Sequence, residues 1–222
     1  MNDELTCSAL FDLNETIAGE YLASFRYPWE ALGGIHDLIL AIGPTLDPEI
    51  YEEREEHVWI AKSAKVFPSA YIGAPCIICE DAQVRHCAFI RGDAIVGKGS
   101  VVGNSCELKN VILFNKCEVP HFNYVGDSIL GFHAHMGAGA ITSNIKADRK
   151  NIVIRGDERI ETGRRKIGAI IGDWAEIGCN AVLNPGTVVG RHAMVYPTTC
   201  VRGVLAEDII MRQDNSILRK HE

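Results

Sequence analysis

The sequence predicts an all-β fold, a left-handed parallel β-helix, from two observations. Large apolar residues recur at every sixth position, and the fourth position after each of them is mostly small. In the first run these residues are Ile60, Val66, Ile72, Ile78, Val84, Ile90, Val96, Val102, Leu108 and Phe114, and the register ends at Pro120. The small partners are Ala64, Ala70, Cys76, Ala82, Ala88, Ala94, Ser100 and Cys106. A period of six fits neither a helix nor a plain strand, but it suits a coil with three flat sides.

A second run of hexads follows later in the chain. Its large residues are Ile171, Ile177, Leu183, Val189, Val195 and Val201, and Leu130 and Met136 keep the pattern between the runs with a shifted phase. We therefore expect about six coils, with neighbouring coils paired as parallel strands about 4.8 Å apart. A β-sandwich fits less well, because its strands alternate with a period of two.

Three further segments lie outside the repeat. For residues 1–57 we expect a helical N-terminal extension that covers the open end of the three-sided β-helix. Its apolar stripe is Leu10, Leu13, Ile17, Tyr21 and Phe25, and a second helix is expected from about Trp29 to Ile42, ending before Gly43-Pro44. The β-helix domain is expected over residues 58–212, with a polar loop extruded at about 144–169. Residues 213–222 are expected to form a C-terminal tail.

Composition excludes several classes of protein. The 222 residues are 47% apolar and 23% charged, which is too apolar for a disordered chain. Twenty-two basic residues against 29 acidic ones give a net charge of −7, so nucleic acid is not an expected partner. The sequence has no 18-residue apolar stretch and no signal-peptide pattern at its start, so we expect no membrane partner and a cytoplasmic location. The eight cysteines have no metal-finger spacing, and they are expected to be small buried residues.

Charged or polar side chains interrupt the repeat immediately after four inward positions. These residues are Arg85, Arg91, Lys109 and His121. Arg91 and Lys109 are 18 positions apart, so they should stack on one edge of adjacent coils. Such a pair either binds an anion such as phosphate or is solvated or paired with acids such as Asp93 and Glu107.

Histidines provide two further hypotheses. Arg85, Gly103 and His121 share the 18-residue spacing and predict a second column. An imidazole in that position can act as a general base near neutral pH, although a lone histidine is more often structural. His133 and His135 are two apart and would face the same side of a strand. Because no acidic or thiol partner accompanies them, no metal site is predicted.

Longer motifs resemble a known family. The segments VPHFNYVGDSILG and GAGAITSNIK resemble the hexapeptide-repeat acetyltransferase domain of the N-acetylglucosamine-1-phosphate uridyltransferase/glucosamine-1-phosphate acetyltransferase family. The segment TGRRKIGAIIGD resembles the matching loop of archaeal sugar-1-phosphate nucleotidyltransferase/acetyltransferases. The resemblance covers about residues 58–212. The nucleotidyltransferase domain of that family has no counterpart here, so we expect no pyrophosphorylase activity from this chain.

The resemblance implies a role for individual residues. His121 matches the general base, and the substrate-binding matches are Arg91 and Lys109 for the phosphate, Tyr124 and Asn144 for the sugar, and Lys150 in the loop. The matches to positions that contact coenzyme A are Ala138, Cys179 and Arg212. His135 stands where the family pattern has an asparagine.

The function implied by this resemblance is acetyl-CoA-dependent N-acetylation of an amino-sugar 1-phosphate such as glucosamine 1-phosphate, without a metal. The resemblance also implies a homotrimer, with a separate nucleotidyltransferase as a possible partner. Two alternatives stay open. One is a non-catalytic module that binds sugar phosphates or sugar nucleotides. The less favoured one is a γ-carbonic anhydrase-like metalloenzyme, because IRGDAIVG resembles a motif of that family but a clear third histidine is missing.

Overall fold

Three flat faces of parallel strands wind around one axis in the computed structural model, which describes residues 3–156 and 158–220. The solenoid has about eight turns, and it confirms the left-handed parallel β-helix with a helical extension and an extruded loop. The expected number of coils was too low, because inward residues continue through the middle of the chain and the last coil reaches Met211.

Each face is a ladder of short strands. Face 1 consists of Val58–Ala61, Cys76–Ile78, Ala94–Val96, the second half of Glu107–Leu113, the second half of Tyr124–Leu130, Ala169–Ile171, Thr187–Val189 and Val204–Leu205. Face 2 consists of Lys65–Val66, Gln83–Val84, Val101–Asn104, Glu118–His121, His135–Met136, Glu176–Ile177, Met194–Val195 and Ile209–Met211. Face 3 consists of Tyr71–Ile72, Phe89–Ile90, the first halves of Glu107–Leu113 and Tyr124–Leu130, Ile141–Thr142, Val182–Leu183 and Cys200–Val201. We call the turn from face 2 to face 3 edge 2/3, and the turn from face 3 to face 1 edge 3/1.

The hexad register slips twice in the middle of the solenoid. Leu108 pairs with Val125 and Leu113 pairs with Leu130, so these coils have seventeen residues rather than eighteen. The prediction that Phe114 continues the inward row is therefore wrong, since Leu113 takes that place, and Val119 rather than Pro120 takes the next one. Phe114 is nevertheless fully buried, because its ring packs against Phe11 with centroids 4.9 Å apart.

The N-terminal region lies along the outer side of face 1. Its α-helices are Cys7–Leu10, Gly19–Ala23, Pro28–Ala31 and Ile35–Ile42, and its 3-10 turns are Asp3–Leu5, Leu13–Glu15 and Gly43–Thr45. The helix Ile35–Ile42 contacts the face 1 strands at 94–96 and 107–113. Outward residues of face 1, such as Ile77, Ile95 and Ile112, are consequently as buried as the inward ones. The expected cap over the end of the prism is wrong for the helices, although strand Tyr51–Glu55 does pair with the free edge of Val58–Ala61.

The single long apolar stripe predicted near the N-terminus is also wrong. The Asp12 carboxylate accepts from the Asn14 amide, and the Thr16 hydroxyl accepts from the Ala18 amide, so polar side chains start new turns where a continuous helix was expected. As a result Ile17 is 38% exposed, whereas Leu22 is fully buried.

The extruded loop folds back onto the solenoid. Strands Val153–Arg155 and Arg159–Glu161 form a hairpin, and the flanking residues Ile152 and Ile167 are buried. The Arg164 guanidinium donates to the Glu30 carbonyl at 3.1 Å, which ties the loop to the N-terminal helices. At the other end of the chain, Ile217–Arg219 pairs antiparallel with Ile209–Met211. Across the described ranges, no helix has the length and apolar character needed to cross a membrane.

Candidate active site

Arg91 and Lys109 lie side by side at edge 3/1. The strand Phe89–Ile90 pairs in register with Glu107 and Leu108, which places the two following residues, Arg91 and Lys109, on adjacent coils. This is the stacking that the sequence predicts. Tyr124 and Asn144 lie on the next two coils of the same face.

The register slip shapes this edge. At each shortened coil the chain turns through a residue with a left-handed backbone, Asn110 with φ of 54° and Asp127 with φ of 50°. Asn and Asp adopt this conformation more readily than other side chains that carry a Cβ. The two residues lie on adjacent coils, and the Asn110 Nδ2 donates to Asp127 Oδ1 at 2.9 Å.

Asp127 is the centre of the site, and sequence reasoning missed it. Its carboxylate is buried, with 4% of the residue exposed. Besides the bond from Asn110, it accepts from Lys109 Nζ at 2.9 Å and from Asn144 Nδ2 at 2.6 Å. A carboxylate with three donors in a buried position fixes all of them. The available signal was its place in the quoted VPHFNYVGDSILG segment, eighteen residues after Lys109.

Tyr124 and Asn144 form a second part of the cluster beside Asp127. The Asn144 amide donates to the Tyr124 hydroxyl at 3.1 Å, so its two N–H groups serve Asp127 and Tyr124. Its carbonyl oxygen is then the group that can accept from a ligand amine or hydroxyl. Burial, followed by the nearby Asp127 and Glu107 charges, raises the pKa of the Tyr124 hydroxyl. Tyr124 therefore keeps its proton at neutral pH and can donate it in a hydrogen bond.

Arg91 has a more open partner. Its guanidinium lies 3.0 Å from Glu107 Oε1, and the side chains are 48% and 34% exposed. Pairing with Glu107 was one of the alternatives for this cation. The other acid considered, Asp93, contacts His36 Nδ1 at 2.7 Å instead.

His121 lies at edge 2/3, where its side chain is exposed. Its strand neighbour is Asn104, whereas Gly103 lies against Pro120. The predicted column of Arg85, Gly103 and His121 is therefore wrong, because the seventeen-residue coil moves His121 by one position. His121 still comes just before Tyr124, so it lies at the start of face 3 while Lys109 lies at the end of that face.

The residues matched to coenzyme A contacts share this edge. The His121 carbonyl accepts from Gly139 N at 2.9 Å, the Ala138 carbonyl from Asn180 N at 2.9 Å, and the Cys179 carbonyl from Thr198 N at 2.8 Å. His121, Ala138 and Cys179 are thus stacked on three successive coils. Arg212 follows the last face 2 strand of the solenoid, at the same edge and two coils beyond Cys179.

Lys150 lies in the extruded loop, and the structure, over the residues that it describes, shows no contact between its side chain and the Asp127 cluster or the edge with His121. Its side chain is exposed in the extruded loop, and its backbone amide donates to Asp148 Oδ1 at 3.0 Å. Its role stays a prediction that rests on the family resemblance.

The two histidines considered for a metal have separate partners. The His133 ring stacks on Trp174 with centroids 4.0 Å apart, and His135 Nδ1 lies 2.8 Å from Glu176 Oε2. His133 has a left-handed backbone, with φ of 55°, so the two side chains do not follow simple strand alternation. Within residues 3–156 and 158–220, no three His, Cys, Asp or Glu side chains are grouped as metal ligands.

A family model and curated relatives match the part of the chain that carries the six-residue repeat. The family model described as the GMPPB C-terminal domain matches residues 72–163. A bifunctional protein GlmU from Methanococcus maripaludis is 28% identical over 203 residues, which cover 90% of this chain and 49% of the relative. A bifunctional sugar-1-phosphate nucleotidylyltransferase/acetyltransferase from Sulfurisphaera tokodaii is 31% identical over 145 residues, which cover 65% of this chain and 36% of the relative. The chain therefore spans about half the length, or less, of these curated relatives.

Solved structures add little beyond this. The crystal structure of the polySia-specific acetyltransferase NeuO is 13% identical, with a TM-score of 0.45 over 75% of this chain and 88% of that one. The family model and the curated relatives together show that the repeats of this chain are similar to the hexapeptide-repeat domain at the C-terminus of GlmU-like proteins.

Proposed function

We propose that this protein is an acetyl-CoA-dependent N-acetyltransferase that acts on an amino-sugar 1-phosphate, with glucosamine 1-phosphate as the best candidate. The observation that carries the proposal is the arrangement on face 3. A fixed cluster around Asp127 holds Lys109 and Asn144 at one edge, and His121 lies at the other edge with Ala138 and Cys179. The names of the curated relatives, which include an acetyltransferase, support the same reaction class.

The acceptor is expected to lie across face 3 with its phosphate at edge 3/1. Lys109 is held in place by Asp127 and presents a point charge, whereas Arg91 can bind phosphate oxygens in bidentate fashion. Arg91 must exchange Glu107 for the phosphate, and the exposure of that ion pair makes the exchange inexpensive. Tyr124 and the Asn144 carbonyl then orient the sugar.

The reacting amine points toward edge 2/3 in this arrangement. Acetyl-CoA, when bound, supplies the thioester carbonyl that the amine attacks. The His121 imidazole takes the proton that the nitrogen loses as the new C–N bond forms. The proton then passes to the departing thiolate of coenzyme A as the C–S bond breaks. Backbone N–H groups beside Ala138 and Cys179 are the candidates for stabilising the oxyanion.

Assembly belongs to the same proposal. His121 and Cys179 are exposed on either side of the half-buried Ala138 along edge 2/3, and a site built there is completed by a neighbouring copy in the homotrimer that we propose. A separate nucleotidyltransferase acting on the acetylated product, and a cytoplasmic location, are further parts of the proposal.

Release of free thiol from acetyl-CoA tests this function. We expect release with glucosamine 1-phosphate, and loss of most of it in His121→Ala, since general base catalysis contributes about 10²-fold or more. The matched control is His192→Ala, which removes an exposed imidazole from a different edge. Wild-type turnover by His121→Ala would contradict the assigned base.

The second candidate is a non-catalytic module that binds sugar phosphates. The observation that favours it is His135, which stands in place of the family's asparagine and contacts Glu176. Binding of glucosamine 1-phosphate in a calorimeter, with no thiol release from folded protein, would select this candidate.

A further inference from the structure

A second cleft lies at edge 3/1, between the extruded loop and the later coils. Its volume is about 650 Å³. One wall comes from residues 145–148, 152–153, 155 and 159 of the loop with the preceding residue 143, and the other from residues 184–186 and 202–203 of the solenoid. The cleft adjoins the cluster around Asp127, because the lining residues Ser143 and Ile145 flank Asn144, and it extends from there along the later coils. Ligand binding in this cleft would be a function beyond the proposed acetyl transfer.

The charges in this cleft are mostly positive. The lining includes four cations and a single acid, which are Lys146, Arg155, Arg159, Arg202 and Asp148. Lys146 lies 3.5 Å from Asp148, and Arg159 lies 2.8 Å from Glu161. Among the residues that the structure describes, Arg155 and Arg202 have no carboxylate within ion-pair distance. In a chain with a net charge of −7, this local excess of positive charge favours binding of an anionic ligand.

Apolar groups lie beside these cations. Ile145 is 39% exposed, and Ile152 and Pro185 complete the surface from the loop and the solenoid. Convergent charged groups next to an apolar wall are typical of ligand pockets of about 300–1,000 Å³. A lone phosphate ion would leave most of this volume empty, whereas a nucleotide has both a charged part and a flat ring for the apolar part.

Arg202, in the solenoid wall of the cleft, lies several coils away from Lys109, the proposed phosphate contact of the acceptor site. Arg202 follows Val201, which pairs with Leu183, and Asn184 in turn lies beside Ser143. Arg202 therefore continues the row that contains Lys109 and Gly126, four coils further on. With about 4.8 Å per coil, the two positions are about 19 Å apart.

We propose that this cleft binds the diphosphate group of a nucleotide. Arg155 and Arg202 would hold the phosphate oxygens from the two walls, and the base would lie against Ile145 and Pro185. The diphosphate has two sources, either a nucleoside diphosphate, free or sugar-linked, or the adenosine end of coenzyme A. The candidate coenzyme A contacts Ala138 and Cys179 lie on edge 2/3, so the first source fits this chain better.

Calorimetric titration of the full chain with UDP, coenzyme A and inorganic phosphate tests this proposal. We expect UDP to bind, and the double variant Arg155→Gln, Arg202→Gln to weaken that binding by roughly tenfold or more, because two charge-assisted contacts are removed. Arg54→Gln is the matched control, since Arg54 is an exposed arginine that pairs with Glu52 at the far end of the solenoid. Thermal unfolding of both variants checks that they are folded.

The outcomes decide between the sources as well. Binding of coenzyme A, but not of UDP, that is lost in the double variant would assign the cleft to the adenosine diphosphate end. UDP binding that the double variant leaves unchanged would overturn the proposal, as would inorganic phosphate binding as tightly as UDP. This assay measures binding rather than thiol release. A cleft that does not bind UDP would therefore leave the proposed acetyl transfer intact, and a protein without acetyl transfer could still bind UDP in the cleft.

Discussion

Two cation–carboxylate pairs lie next to each other at edge 3/1, and they differ in burial rather than in length. Lys109 lies 2.9 Å from Asp127, and the side chains are 28% and 5% exposed. Arg91 lies 3.0 Å from Glu107, and the side chains are 48% and 34% exposed. Similar distances therefore join groups in very different surroundings.

The difference predicts separate roles for the two cations. A buried carboxylate that loses its partners is strongly destabilising, whereas exposed ion pairs contribute little. Asp127 also holds Asn110 and Asn144, so the pair with Lys109 is part of the fold. The Arg91 pair has no such network and can open for a ligand. We therefore interpret Lys109 as the fixed phosphate contact and Arg91 as the exchangeable one.

The largest expected effect is that of Asp127→Ala on stability. The change leaves Lys109, Asn110 and Asn144 without their shared acceptor, so the free energy of unfolding should fall by about 2–4 kcal/mol. Urea denaturation measures this change. The control Glu107→Ala removes a carboxylate from the exposed pair and should cost less than about 1 kcal/mol. Equal losses in the two variants would show that the difference in burial has no energetic consequence.

Arg91→Gln is expected to act on the substrate and not on the fold. Loss of a bidentate phosphate contact should reduce kcat/KM for glucosamine 1-phosphate about tenfold to a hundredfold, while stability changes by less than about 1 kcal/mol. Steady-state thiol release and urea denaturation on the same sample provide both values. A variant that unfolds more easily but keeps its kcat/KM would contradict the interpretation of Arg91 as a ligand contact.

The smallest expected effect is a lower KM, which is a gain in apparent affinity for the phosphorylated acceptor. Glu107→Gln removes the charge that competes with phosphate for Arg91, so KM for the phosphorylated acceptor should fall about twofold to fivefold, in line with the weak energy of an exposed ion pair. Raising the salt concentration should reduce the difference between variant and wild type. An increase in KM would mean that Glu107 itself contacts the acceptor.

Much of the fold could be predicted because the repeat reports directly on packing. Ile78, Val96 and Val102 are buried where the six-residue register places them. The shifted phase of Leu130 and Met136 indicates a slip, but its position after Leu108 was missed because Phe114, which is apolar and buried, mimics an inward residue although Leu113 holds that place. The path of the N-terminal helices could not be predicted either, since the pattern shows that Ile95 is apolar but not what covers it.

The candidate site was predicted only in part. The stacking of Arg91 and Lys109 follows from spacing alone, and the alignment of His121 with Ala138 and Cys179 agrees with the family resemblance. Asp127 was missed because its spacing from Lys109 does not reveal that its carboxylate is buried. Its importance depends on burial and on three donors, Lys109 and Asn110 from one coil and Asn144 from another, and only the folded chain brings these together.

The assignment of edge 3/1 as a phosphate site is tested most directly by the ratio of kcat/KM for glucosamine 1-phosphate to that for unphosphorylated glucosamine. Both values are measured by thiol release from acetyl-CoA with the wild-type protein. We expect a ratio of about 10² or more, because Arg91 and Lys109 each contribute a charge-assisted contact to the phosphate. A ratio near one, or no release with either acceptor from folded protein, would contradict the assignment of edge 3/1 as the phosphate site of an acetyltransferase.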